Sequence, residues 1–195
     1  EQVFNLTSVA VEALSTSQIK ALHTADIAAL STTGASALTS AQVKVLSTNQ
    51  VLALEIADVG VLSAEAVRGF TSTQVKALTT SQIAALNTAQ ASDLTTSFVK
   101  SLSTSQVAAL ETRDVAVMSA ASIAALSSTQ WAAVTTAQIV GLTTQQVNEL
   151  NTSSLKSLST KQIAALETSD VAALTVANLT SLSTSQWGAF TTSQI

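Results

Sequence analysis

Apolar and polar residues alternate along this chain with a period of eight. Counted from Leu6, Leu14, Leu22 and every eighth residue to Phe190, the register holds through 24 octads to Ile195 without insertion or deletion, with the consensus Leu-Ser/Thr-Thr-Ser/Ala-Gln-Val/Ile-X-Ala. The first position is Leu except at Phe70, Met118, Val134 and Phe190. The sixth is always apolar, mostly Val or Ile, and includes Trp131 and Trp187. Positions one and six are the predicted core.

Position two is Ser or Thr in 18 of the 24 octads and position five is most often Gln, as in Ser15 with Gln18, Thr79 with Gln82 and Ser103 with Gln106. A small hydroxyl residue followed three residues later by Gln is the capping-box pattern of a helix N-terminus. Leu at N′ and Val or Ile at N4, as in Leu78 with Ile83, have the spacing of a hydrophobic staple. Each octad therefore predicts its own helix start.

One continuous helix does not fit. Eight residues at about 100° each turn through roughly 800°, so an apolar stripe would drift by about 80° per repeat and face no single partner. The mean hydrophobic spacing of about 4.0 also misses both coiled-coil periods. A β-solenoid is the competing architecture, favoured by Thr, Val and Ile. Against it, positions one and six differ by an odd number and would point to opposite faces of a straight strand. Five Gly and no Pro leave little turn punctuation, and endings such as Ala84-Ala85-Leu86 favour helix. The predicted fold is all-α, a solenoid of very short helices, one per octad, with the β-solenoid as the alternative.

Helices of one to two turns do not persist alone, because nucleation is costly and few hydrogen bonds follow it. Stacking must stabilise them. Small Ala at position eight, as at Ala13, Ala21, Ala85, Ala109 and Ala165, permits close approach. Lys20, Lys44, Arg68, Lys76, Lys100 and Lys156 at position seven, with Arg113 and Lys161 at position four, mark the solvent side. The Gln amide at N3 is expected to serve the cap, with a Gln ladder along the array as the alternative.

A 56-residue period, seven octads, overlies the first. Leu54-Glu55-Ile56-Ala57-Asp58-Val59 returns as Leu110-Glu111-Thr112-Arg113-Asp114-Val115 and as Leu166-Glu167-Thr168-Ser169-Asp170-Val171, while Trp131 and Trp187 are also 56 apart. Seven is odd, so two alternating kinds of octad would have been scrambled by such duplication. Quasi-equivalent octads along one spiral are expected, unless seven octads match a whole number of superhelical turns.

The unbroken period makes residues 1–195 a single array, and its ending in mid-octad suggests a piece of a longer protein. Aromatic residues make up 3%, so the core is thin and built from aliphatic side chains. No Cys is present, which excludes disulfides and thiol chemistry. A net charge of −4 from 8 basic and 12 acidic residues, with no basic patch, argues against nucleic acid as a partner. Ser, Thr or Gln interrupts every octad, so no membrane span is expected, and the N-terminus has no signal-peptide layout.

Candidate chemistry is sparse. Asp occupies position five in four octads, always where position two is not a small cap residue: His23 with Asp26, Glu55 with Asp58, Glu111 with Asp114 and Glu167 with Asp170. Carboxylates three apart share a helix face, so the Glu55/Asp58, Glu111/Asp114 and Glu167/Asp170 pairs are weak candidates for a hard cation such as calcium. The preferred reading is structural, with Asp stabilising the helix N-terminus while Glu faces water and no metal is bound. His23 stands alone, so neither a histidine metal pair nor a catalytic triad can be assembled. No catalytic residue or cofactor site is expected. Trp131, Trp187, Phe70 and Phe190 read as core filling, and Phe98, in place of the polar fifth residue, is the best candidate for an exposed ligand platform.

The run Leu102-Ser103-Thr104-Ser105-Gln106-Val107-Ala108-Ala109-Leu110 resembles the tandem LTTAQVAAL arrays of very large bacterial surface or secreted proteins described as adhesin-like. That resemblance covers the octad alone and transfers no binding residues. It implies an extracellular or cell-surface setting. The expected role is a non-enzymatic stalk, spacer or scaffold segment whose partners are flanking domains of the same chain. The alternative is a repeat-based binding module for protein, glycan or an ice surface.

Overall fold

The computed structural model describes residues 7–195; Leu6, which opens the sequence register, lies outside them. Among the described residues there are 23 α-helices of four to six residues, from Ser8–Ala13 to Thr184–Trp187, and no strand. One helix falls in each octad except the last, Phe190 to Ile195, which makes only a turn. The all-α solenoid is the observed architecture, and the β alternative is discarded.

Every helix begins at position three, with position two as its N-cap. In the octad of Gln50, Ser47 Oγ accepts from the Gln50 backbone N–H at 3.2 Å, and Gln50 Oε1 accepts from the Ser47 N–H at 2.8 Å. These reciprocal bonds satisfy two of the donors that a helix start leaves free. The helix ends one turn later, where the Leu54 N–H reaches the Val51 carbonyl at 3.3 Å. Leu54 (φ −61°, ψ 128°) and Glu55 (φ −66°, ψ 155°) then form the corner as two successive extended residues. A corner built this way needs no left-handed residue, which is why the 22 connections between the 23 helices are made in a chain with five Gly and no Pro.

Each helix packs against the third helix before it and the third after it, as Thr32–Ser36 does on Ile56–Val61 and Thr104–Ala109 on Ser128–Ala133. Three octads therefore make one turn, and the chain winds into a three-faced column of about eight turns. At the ~8–10 Å spacing of packed helices, the column is about 65–80 Å long. Positions one and six point inward: Val43, Leu46, Val51, Leu54, Val75 and Leu78 belong to one continuous buried cluster running the length of the array. All eight basic residues are exposed.

Seven octads are two turns and one third, not a whole number. Each 56-residue copy therefore moves every octad to the next face of the column, and the chain tolerates this because all three faces offer the same packing. Glycine marks where two turns come closest: a Cβ on Gly69 would collide with the Ser40 carbonyl and one on Gly141 with the Thr112 methyl. Both glycines are at position eight and both contacts at position three, one turn earlier.

Candidate functional site

The polar machinery of the array lies in the seams between successive turns. All thirteen glutamines at position five use Oε1 to accept the N-cap N–H of their own octad. Twelve of them also send Nε2 across the seam to two carbonyls, 31 and 28 residues earlier, at 2.6–3.1 Å. Gln82, for example, reaches Val51 and Leu54. Those carbonyls belong to positions six and one, the end of a short helix and the corner that follows, where acceptors would otherwise be buried unsatisfied. Gln18 sits in the first described turn, with no earlier turn to reach.

The glutamine is thus both cap and ladder, where the sequence had set the two roles against each other. A signal was available. Position five holds thirteen Gln and no Glu, although a capping box accepts either; only the amide carries a donor for the second bond.

Substitutions at position five show how the seam adapts. Ser122 Oγ donates to the Leu94 carbonyl at 2.7 Å and Asn178 Nδ2 to that of Leu150 at 2.9 Å, each keeping one of the two bonds. Phe98 is buried rather than presented as a platform. Its ring fills the place of the amide, because position five points into the seam whatever occupies it. Phe70 and Trp131 are core residues, as expected, and the Trp131 Nε1 is buried without a partner. Trp187 is 45% exposed in the last turn and packs against Phe190 with ring centroids 5.4 Å apart.

Asp58, Asp114 and Asp170 are the anomaly. Their side chains are at most 1% exposed, yet a carboxylate has no donor for the seam. Asp58 Oδ2 accepts weakly from the Glu55 N–H at 3.3 Å, and Asp170 Oδ1 accepts from Thr144 Oγ1 at 3.0 Å. Asp58 Oδ1, both oxygens of Asp114 and Asp170 Oδ2 are buried with no hydrogen bond. Burial pushes all three carboxyls above the ordinary aspartate value; the neighbouring Glu55, Glu111 and Glu167 add to the rise, while Arg113 opposes it at Asp114 and the Thr144 hydroxyl at Asp170. In each octad the N3 N–H turns to the N-cap carbonyl at 3.0 Å instead of a cap side chain.

Within each Glu/Asp pair the two side chains lie differently: Glu55, Glu111 and Glu167 are exposed and their aspartates are not. Asp26 belongs to the first turn, is only partly buried and accepts from the His23 N–H at 2.9 Å, while His23 itself is exposed. Among the described residues no cluster of three or more His, Asp or Glu side chains forms a metal-binding group. No helix among them is long and apolar enough to cross a membrane.

The ALTTAQ repeat family model matches the chain over residues 19–55, 51–88, 107–144, 144–175 and 163–195. These segments cover most of the sequence, and the chain belongs to the ALTTAQ repeat family. No curated protein and no solved structure matches it.

Proposed function

We propose that this chain is a load-spanning spacer or scaffold segment of a large bacterial surface or secreted protein of the adhesin type. The observation that supports this best is the continuity of the seam. Twelve glutamines tie each turn to the one before it, position-two hydroxyls are used in caps, and one apolar core runs from end to end. Such a column transmits force along its axis and offers flanking domains a fixed separation. Repeat stacking of this kind makes stability a sum of neighbour contacts. Small-angle scattering tests the reading: a stiff rod gives a cross-section independent of length and a long dimension near 65–80 Å for these 195 residues. A compact or flexible particle refutes it.

One observation favours a second reading, a binding array. Thr88, Thr112, Thr136, Thr160 and Thr184, all at position three, are exposed on successive turns of one face. A rank of hydroxyls and methyls at one per turn suits glycan or ice recognition. Glycan arrays and thermal-hysteresis measurements on the chain distinguish this from a passive spacer.

A further inference from the structure

The three buried aspartates replace a donor with an acceptor at a point where only acceptors remain. By the register that joins twelve glutamines to residues 31 and 28 earlier, Asp58 stands opposite the carbonyls of Ile27 and Leu30, and Asp170 opposite those of Ile139 and Leu142. The Thr144 hydroxyl, 26 residues before Asp170, already touches its carboxylate. The same offset sets Thr32 opposite Asp58 and Thr88 opposite Asp114, although neither hydroxyl hydrogen-bonds its carboxylate. The Asp170 seam thus gathers a carboxylate and a hydroxyl, the glutamine register sets two backbone carbonyls opposite each aspartate, and the exposed Glu of the same octad adds a second negative charge nearby.

Size points the same way as charge. Asp is one methylene shorter than Gln, which withdraws its terminal atoms by up to about 1.5 Å. A contact of 2.6–3.1 Å for the glutamine amide thus opens to about 4–4.5 Å between oxygens. An ion with bonds of about 2.3–2.6 Å to each side spans that gap. The orphaned Asp58 Oδ1 and Asp170 Oδ2 are the atoms left free for it.

We propose that the Asp58 and Asp170 seams each bind a calcium ion, held by the aspartate carboxylate, the Thr32 or Thr144 hydroxyl and the carbonyls of Ile27 and Leu30 or Ile139 and Leu142. The ion does for these seams what the amide does for the others, joining two carbonyls of one turn to the helix start of the next. Irregular all-oxygen donor sets suit calcium better than magnesium, which demands near-ideal octahedra and retains water. The Asp114 seam is the weakest of the three, because Arg113 Nε lies 3.9 Å from Asp114 Oδ1 and already supplies positive charge.

Calorimetric titration of calcium into the chelator-treated 195-residue chain, paired with thermal melts followed by circular dichroism, tests this. The expected result is two ions per chain with dissociation constants of about 10⁻⁴–10⁻³ M, and a melting midpoint several degrees higher in 10 mM calcium. The double variant Asp58→Asn/Asp170→Asn should fold, since Asn178 is accommodated at the same position, and should lose both effects. Thr144→Val should weaken one site about tenfold, and Glu55→Gln/Glu167→Gln should keep both sites. Absence of binding heat and of any shift at 10 mM calcium overturns the proposal, as does binding that survives the double Asn variant or vanishes in the double Gln variant.

Discussion

Gln106 and Leu78 are 28 residues apart in sequence and one turn apart in space, and Gln106 Nε2 donates to the Leu78 carbonyl at 2.7 Å while also reaching Val75 at 2.7 Å. Removing that amide leaves two buried carbonyls short of a donor, at about 1–3 kcal/mol for an unsatisfied group. Gln106→Met should therefore destabilise the array by about 2–4 kcal/mol in urea unfolding. Gln106→Glu retains the N-cap acceptor but sets a buried carboxylate against the same carbonyls, so at neutral pH it should be the more damaging of the two. Equal effects would show that Nε2 contributes little.

The aspartates give the array a pH dependence of unusual sign. Asp58, Asp114 and Asp170 are held above the ordinary carboxylate value, first by burial. A carboxyl with a raised folded pKa binds its proton more tightly in the folded array than in the unfolded chain. The stabilisation is complete below the unfolded value of about 3.9 and is lost as pH rises through the higher folded values. In calcium-free buffer the wild-type chain should thus lose stability between pH 4 and pH 7 relative to the Asp58→Asn/Asp114→Asn/Asp170→Asn variant, which has no such groups. Denaturation midpoints of both proteins across that range measure the difference directly, and parallel curves would refute it.

Much of this fold was legible in the octad. The cap at position two, the amide at position five and the apolar pair at one and six each state a local requirement of a short helix, and Ser47, Gln50, Val51 and Leu54 meet them as read. The number of octads per turn was not legible, because it depends on the angle of the corner between Leu54 and Glu55, and quasi-equivalent octads encode no mark of which face they occupy. The seam bonds were hidden for the same reason: an offset of 31 or 28 residues means nothing until three octads are known to close a turn. Phe98 was misread because a position that is polar in most octads looks solvent-facing, whereas here the polar side chain is the buried one.

Trp131 tests the core. It occupies a Val/Ile position, is completely buried and leaves its indole N–H without a partner. Trp131→Phe discards that unsatisfied donor together with some contact area, whereas Trp131→Ala opens a cavity among Val107, Val115, Met118 and Val134. The Ala variant should cost about 3–5 kcal/mol and the Phe variant less than half of that. A Phe variant as damaging as Ala would mean that the indole N–H is satisfied in solution.

The two glycines at position eight should respond differently to a methyl group. At Gly69 an added Cβ meets the Ser40 backbone carbonyl and α-carbon, which move only if the turn moves. At Gly141 its nearest contact is the Thr112 methyl, and an exposed Thr can change rotamer. Gly69→Ala should therefore lose about 1–3 kcal/mol as overpacking. Gly141→Ala should be neutral or slightly stabilising, because Ala is the better helix former. Thermal melts of the two variants side by side settle the order.

The equivalence of the three faces has a consequence for deletion. Removing Leu102–Ala109, a whole octad, rotates everything after it by a third of a turn but returns every residue to a position of its own class. Gln130, for example, then meets the carbonyls of Ala91 and Leu94, which are again positions six and one. The 56-residue copies already embody shifts of this kind. Such a deletion should preserve the helical signal per residue and leave the melting midpoint within a few degrees of the parent. Removing only residues 102–105 instead sets position five against position two across the seam and turns Leu and Val out of the core over at least one full turn. That variant should show two separate transitions, or lose cooperative melting, as the column divides into independent segments. A four-residue deletion tolerated as well as an eight-residue one would mean that position class does not govern the stacking.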